Sequence, residues 1–259
     1  TIDADCRAPH GWISGMVGRF DSELELAAGE VIVKGKGILA MFESLEFTGI
    51  QAMSAGCMNM GFPLTCNGAN LAYRRSAFDR VKGFEGVGGL VSGDDDLLMQ
   101  KIARDGHQRV AFITGKNTAV RVGAVKNVRE FLSKRTRWAS KITGYPSGAA
   151  IIFLASVFLF FAVVPLGILS WMAGLMGGAS LMAGLGMKIA GDLLLAGRGA
   201  IKSGNSKLLL VFPLAEIFHI PYILYVTVRG YFGTFEWRGR KTGAFAENSE
   251  RMINGRRLD

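Results

Sequence analysis

The sequence predicts a mixed α/β domain followed by a helical membrane region. Hydrophobic residues make up 49% of the chain and charged residues 20%, with a mean hydropathy of +0.27. That is too apolar for an ordinary soluble domain and too charged for a purely membrane one. From Ile142 to Met187 there is no Asp, Glu, Lys or Arg, whereas helix-period and strand-like runs alternate before it. The 259 residues allow one core of about 140 residues and a smaller helical part. The divisions are 1–141 for the domain, 142–229 for transmembrane or re-entrant helices, and 230–259 for a basic cytoplasmic tail.

The net charge of +9 reads first as basic loops against anionic lipid. Nucleic acid is not expected as a partner, because no basic run is interleaved with aromatic residues. Cys6, Cys57 and Cys66 are odd in number and match no metal spacing, which suggests free thiols in a reducing compartment. The chain starts without Met and without a signal peptide, and residues 1–5 read as the end of a strand whose beginning is absent. It therefore reads as a fragment lacking its N-terminal part.

Asp3 and Asp5 are two apart, so in an extended segment both carboxylates share one face. Such a pair can hold a hard divalent cation that binds phosphate oxygens, although an ordinary acidic turn has the same composition. Trp12, Ile13, Met16 and Val17 suggest a short helix, and Glu30 to Lys34 a strand. Residues 38–55 read as a helix with Ile38, Phe42, Leu45, Gly49 and Met53 on one stripe and Glu43 and Glu46 off it. In the segment Leu64 to Arg75, Gly68 and Ala69 are small enough for a ligand or another backbone to come close. Asn70 lies between apolar residues there, which fits a bulged strand and a binding role equally.

The Gly-rich stretch 86–93 reads as a lid or a plain connector, and it lacks the Lys-Ser/Thr of a phosphate loop. It leads into Asp94-Asp95-Asp96, where apolar spacing at Leu97, Leu98 and Ile102 starts a helix. Capping by Ser92 and Asp95 explains one or two of these acids. It explains three adjacent ones poorly, since neighbouring carboxylates repel. Arg109 to Ile113 and Ala119 to Val122 read as short strands. Residues 126–141 form a basic amphipathic helix, either a solvated or membrane-surface helix or one that offers Arg137 to an anion with Trp138 as a stacking wall.

Membrane-spanning helices need about 20 apolar residues, and two fit at 149–173 and 175–195. A third apolar run, 208–228, contains Pro213, Glu216, His219 and Pro221. A third full crossing would separate the basic connector 197–207 from the basic tail, against the positive-inside rule. The run 208–228 is therefore expected to be re-entrant or interfacial, with Glu216 and His219 facing a cavity or pairing with neighbouring helices.

The order Asp3-x-Asp5, Gly68-Ala69-Asn70, Gly93-Asp94-Asp95, Arg137-Trp138 and then membrane helices resembles the membrane-bound family 2 glycosyltransferases. That broad group includes cellulose and hyaluronan synthases and ceramide glucosyltransferase. The closing Phe235 to Arg240 is similar to the ends of its bacterial, non-polymerising members. Lys134 stands where the family pattern has Gln. The resemblance implies a GT-A, Rossmann-like fold incomplete at its N-terminus, so that the fragment alone is inactive, with a nucleotide-diphosphate sugar as donor. It implies Mn or Mg on Asp3 and Asp5, Asp95 as general base, and Asp94 orienting it. Gly68 and Asn70 would border the sugar, Arg137 and Trp138 would close over diphosphate and acceptor, and Asp96 would be a cap. The expected reaction is inverting transfer to a lipid or glycan acceptor at the cytoplasmic face of a multi-pass inner-membrane protein. A processive polysaccharide synthase and a non-catalytic assembly subunit are the alternatives.

Overall fold

A computed structural model describes residues 1–85, 93–105, 109–141, 145, 148–233, 235–237 and 240–242. The lid expected at 86–92, the Ser92 cap, Arg238, Gly239 and the tail beyond 242 lie outside these residues.

The soluble part is a small mixed sheet between helices. Helix α1 (Trp12–Val17) precedes strands β1 (Leu24–Gly29) and β2 (Val31–Lys34), which are successive parts of one bent path. Helix α2 (Ile38–Asn59) follows, then a 3₁₀ turn at Gly68–Asn70, β3 (Leu71–Tyr73) and helices α3 (Arg75–Arg80) and α4 (Asp94–Arg104). Strands β4 (Arg109–Ile113) and β5 (Val120–Gly123) and helix α5 (Val128–Ala139) complete the domain. β1 pairs antiparallel with β3 and parallel with β4, while β2 pairs parallel with β5. Glu30 carries the ladder across the bend: its N–H donates to Ile113 O, and its carbonyl accepts from Val120 N–H, each at 3.0 Å. Every residue of β1 is buried, and Leu26 and Ala28 pack with Leu98, Met99 and Ile102 of α4.

Three expectations are corrected. Residues 3–6 form a turn, closed by the Cys6 N–H on the Asp3 carbonyl at 3.0 Å, so Asp3 and Asp5 are not on a strand. Thr1 lies alongside the sheet, accepting from Leu71 N–H at 3.2 Å, and Arg7 bridges antiparallel to Arg121 of the fifth strand. In α2 the apolar stripe does not decide the orientation: Ile38 is 65% exposed, while Glu43 is fully buried. Glu43 takes the Lys134 ammonium at 3.1 Å and the Val125 N–H at 2.8 Å. Glu46 takes the Arg135 guanidinium in a bidentate pair, 2.9 Å from Nε, and the Tyr222 hydroxyl at 2.7 Å. Two buried acids of α2 thus anchor the basic helix α5, because a buried charge persists only with a partner.

Helices α6 (Gly148–Met172) and α7 (Gly178–Lys202) are each 25 residues long. Helix α8 (Phe212–Phe232) is preceded by a 3₁₀ turn, Ser206–Val211. All three runs are long and apolar enough to cross a membrane. Leu159, Phe160, Val163, Leu166 and Leu169 of α6 are all exposed, an apolar surface that calls for lipid rather than water. The run 208–228 is not broken at its prolines. Pro213 sits in the first turn of α8, where its missing N–H costs no helical bond, and Pro221 lies inside a helix that continues to Phe232. A short hairpin, β6 (Phe235–Trp237) with β7 (Arg240–Thr242), follows.

Glu216 and His219 pair with α7. Lys188 forms an ion pair with Glu216 and lies 2.8 Å from Asp192, and His219 Nδ1 lies 3.4 Å from Asp192. The Phe161 ring of α6 covers this quartet, 5.7 Å from the Lys188 ammonium.

Candidate active site

A cavity of about 1430 Å³ lies between the first turn of α4, the 3₁₀ turn, α5 and the membrane helices. Asp3, Asp5, Asp94, Asp95, Arg137 and Trp138 all line it, as does Gly68. Helix α4 starts at Gly93, whose φ of 103° only glycine adopts without strain, and no side chain caps it. The turn throws Asp94 outward, sets Asp95 at the cavity wall and buries Asp96 completely.

Asp95 is held by three donors. Gly68 N–H reaches Oδ2 at 2.8 Å, Asp96 N–H reaches Oδ1 at 2.9 Å, and the Lys141 ammonium lies 3.3 Å from Oδ1. Burial works to raise this carboxyl, but Lys141 and the two backbone N–H groups outweigh it and hold it below its ordinary value. Among the described residues these three donors fill three of the about four acceptor positions of a carboxylate. Gly68 belongs here by geometry: a Cβ on it would sit 3.4 Å from Asp95, and its N–H already binds that side chain.

Asp96 is not a helix cap but a buried hub. It accepts from Cys66 N–H at 2.7 Å, Tyr145 hydroxyl at 2.9 Å, Thr65 hydroxyl at 3.0 Å and Lys141 at 3.1 Å. Its burial, with the Asp95 charge beside it, pushes the carboxyl up, while Lys141 opposes the rise. Burial also opposes the charge on Lys141, but Asp96 and Asp95 together raise that lysine above the ordinary range. The pair thus shares one ammonium, and among the described residues Asp95 has fewer donors than Asp96.

Asp3 is raised above its ordinary value by burial first, then by the Asp5 and Asp95 carboxylates, against the Arg137 guanidinium. Four acids and one guanidinium therefore feel one another across the cavity mouth. The lining also includes apolar side chains, among them Ile50 and Met53 of α2, Val157 and Phe158 of α6, and Ile223 and Val226 of α8.

Residues 1–247 match the family model described as Glycosyl transferase family 21. The chain belongs to glycosyl transferase family 21. No curated protein matches it. A broader family 2 likeness was expected from the motifs; the family shown is 21.

In this family 21 chain the expected site residues fall into two groups. Asp3, Asp5, Gly68, Asp94, Asp95, Arg137 and Trp138 share the cavity. Asn70 does not reach it. Fully buried, its amide donates to the carbonyls of Glu30 at 2.8 Å and Thr118 at 2.7 Å, and its oxygen accepts from Trp12 Nε1–H at 3.0 Å. Gly29 leaves the room for it, since a Cβ there would come within 2.2 Å of the amide nitrogen. Asn70 therefore ties β1, β5's approach and α1 to the turn that carries Gly68. Trp138 is partly a wall and partly core: its ring lies 5.5 Å from Phe47 and 4.3 Å from the Arg135 guanidinium.

Sequence reasoning passed over Lys141, Tyr145, Thr65 and Glu46, which hold the acids and the basic helix in place. Lys141 carried a signal, as the last cation of the basic run before 46 residues without any charge.

Proposed function

We propose that this family 21 glycosyltransferase moves a sugar from a nucleotide-diphosphate sugar to a hydroxyl of a lipid or lipid-linked acceptor, with inversion, at the cytoplasmic membrane face. The observation that carries the acceptor class is the cavity itself, which joins the Asp94–Asp95 acids to apolar side chains of α6 and α8. An acceptor with a polar head and an apolar tail fits such a space; a free sugar chain leaves the apolar side chains uncovered.

Asp95 is the general base, taking the acceptor hydroxyl proton as that oxygen attacks the anomeric carbon, with Asp94 orienting or polarising the base. Such help is typically worth about 10²–10⁴-fold in rate. Arg137 faces the diphosphate, and Trp138 walls the sugar or acceptor. The hard-oxygen set Asp3 and Asp5 fits Mn or Mg, and a cation would offset both the burial that raises Asp3 and the Asp5 charge that adds to it. When bound, the metal would neutralise the charge of the diphosphate leaving group. A GT-A arrangement is the fold proposed, supported by the parallel pairings β1–β4 and β2–β5.

The test is nucleotide diphosphate release in membranes expressing the full reading frame, from several nucleotide sugars, with Mn and with chelator. Metal-dependent release that drops at least about a hundredfold in Asp95→Asn supports the reading. Equal release from both forms removes Asp95 as base. A long polysaccharide product in place of a singly glycosylated lipid overturns the acceptor assignment, and no release from any donor favours an assembly role.

A further inference from the structure

Helix α8 is as long and apolar as a membrane span, yet it touches the domain at its start, its middle and its end. Phe212 packs with Leu45 of α2. Tyr222 reaches Glu46 through its hydroxyl and stacks edge-on to Phe42 and Phe131, with ring centroids 5.9 and 5.4 Å away. Gly230 lies against α5 so closely that a Cβ would meet Thr136 O at 2.9 Å and Ala139 Cβ at 2.8 Å. Phe212 and Gly230 are eighteen residues apart, about 27 Å along a helix.

The other two helices behave differently. α6 meets the domain near its start, where Ala150 packs on Cys57 and Leu64. α7 meets it near its end, where Gly199 abuts Thr48 and Ala200 packs on Leu45. That is the pattern of a pair that leaves the domain side and returns. A helix crossing the bilayer carries its far end about 30 Å from the domain side, and α8 has no far end in that sense.

The flanking charges agree. Glu216 and His219 of α8 meet Lys188 and Asp192, the eleventh and fifteenth of the 25 residues of α7, so the polar groups that α8 turns inward are paired near the middle of that helix. Away from the protein α8 exposes Leu214, Ile217, Phe218, Tyr225 and Val228. Arg198, Lys202 and Lys207 precede α8 and Arg238, Arg240 and Lys241 follow it, and basic flanks of both kinds belong on one membrane face.

We infer that α8 is an in-plane membrane-surface helix whose outer face is covered by lipid, and that only α6 and α7 cross. Both ends of α8 then lie on the domain's side of the membrane.

The experiment uses the full chain with a C-terminal epitope, and a second form with an epitope inserted after Gly204. Sealed membrane vesicles of both orientations are treated with external protease. The expected result is complete loss of both epitopes in the same orientation, together with cleavage of the domain. Loss of the C-terminal epitope only in vesicles that protect the domain overturns the inference. If the inserted form fails to accumulate, the domain and the C-terminal epitope of the first form decide the question alone. The result is independent of the donor, the acceptor and the catalytic role of Asp95.

Discussion

Lys141 donates to Asp96 at 3.1 Å across 45 residues of sequence, and the same ammonium lies 3.3 Å from Asp95. One cation therefore serves both carboxylates of the candidate site. Lys141→Met leaves two buried acids without it, a change that typically costs about 3–5 kcal/mol. The pH dependence follows from the sign of the shift. The lysine is raised above its ordinary value of 10.5 on folding. Its contribution is therefore complete below that value and is lost only as pH rises through the higher folded one. Thermal unfolding in detergent should show the same drop in Tm for Lys141→Met at pH 6 and at pH 9. A drop confined to either pH contradicts the arrangement.

Asn70→Ala should act on stability rather than on donor recognition. It strands the Thr118 carbonyl and the Trp12 N–H, and it takes one of two bonds from the Glu30 carbonyl, which keeps Val120 N–H. Each buried group left unsatisfied costs about 1–3 kcal/mol. The expected outcome is a lower unfolding midpoint with an unchanged KM for the nucleotide sugar in the protein that remains folded. A raised KM with an unchanged midpoint would return Asn70 to the donor's border.

The quartet between α7 and α8 makes a non-additive prediction. Lys188→Met removes the cation from Asp192 and Glu216 and should lower Tm sharply. The triple replacement Lys188→Met/Asp192→Leu/Glu216→Leu removes the charges together and should recover much of that loss, since contacting residues do not add. Simple additivity of the separate losses would show that the three do not act as a unit.

Cys57 and Cys66 should be chemically quiet. Burial raises both thiols, and for Cys66 the Asp95 and Asp96 charges add to it. The thiolate is the reactive form. Iodoacetamide labelling of the folded protein at pH 7.5 should therefore be slow at both. Its rate should keep rising with pH past the ordinary thiol range near 8.5 instead of levelling there. Rapid labelling of Cys66 at neutral pH would mean that the pocket around Asp96 opens.

Much of the fold was legible because local pattern and final environment agreed. The helical spacing after Asp96, the run Arg109 to Ile113, and the uncharged stretch to Met187 each became the element expected. Strand β1 was passed over, because Leu24-Glu25-Leu26-Ala27-Ala28 is made of good helix formers and becomes a strand only through its neighbours β3 and β4. Glu43 and Glu46 were read only as lying off the apolar stripe, with no partner assigned. Their partners, Lys134 and Arg135, lie 91 and 89 residues away, beyond any local pattern. Asp96 escaped for the same reason: its hub is assembled from Thr65, Lys141 and Tyr145. The site's acids were visible as types and spacing, whereas the groups that hold them arrive from the far end of the fold.

Lys141 and Tyr145, the last described residues before α6, both bind Asp96. Any shift of α6 along the bilayer normal, as a thicker or thinner lipid phase imposes, pulls on the side chains that position Asp95. Rates measured in micelles and in bilayers of different chain length describe differently tensioned forms of one site.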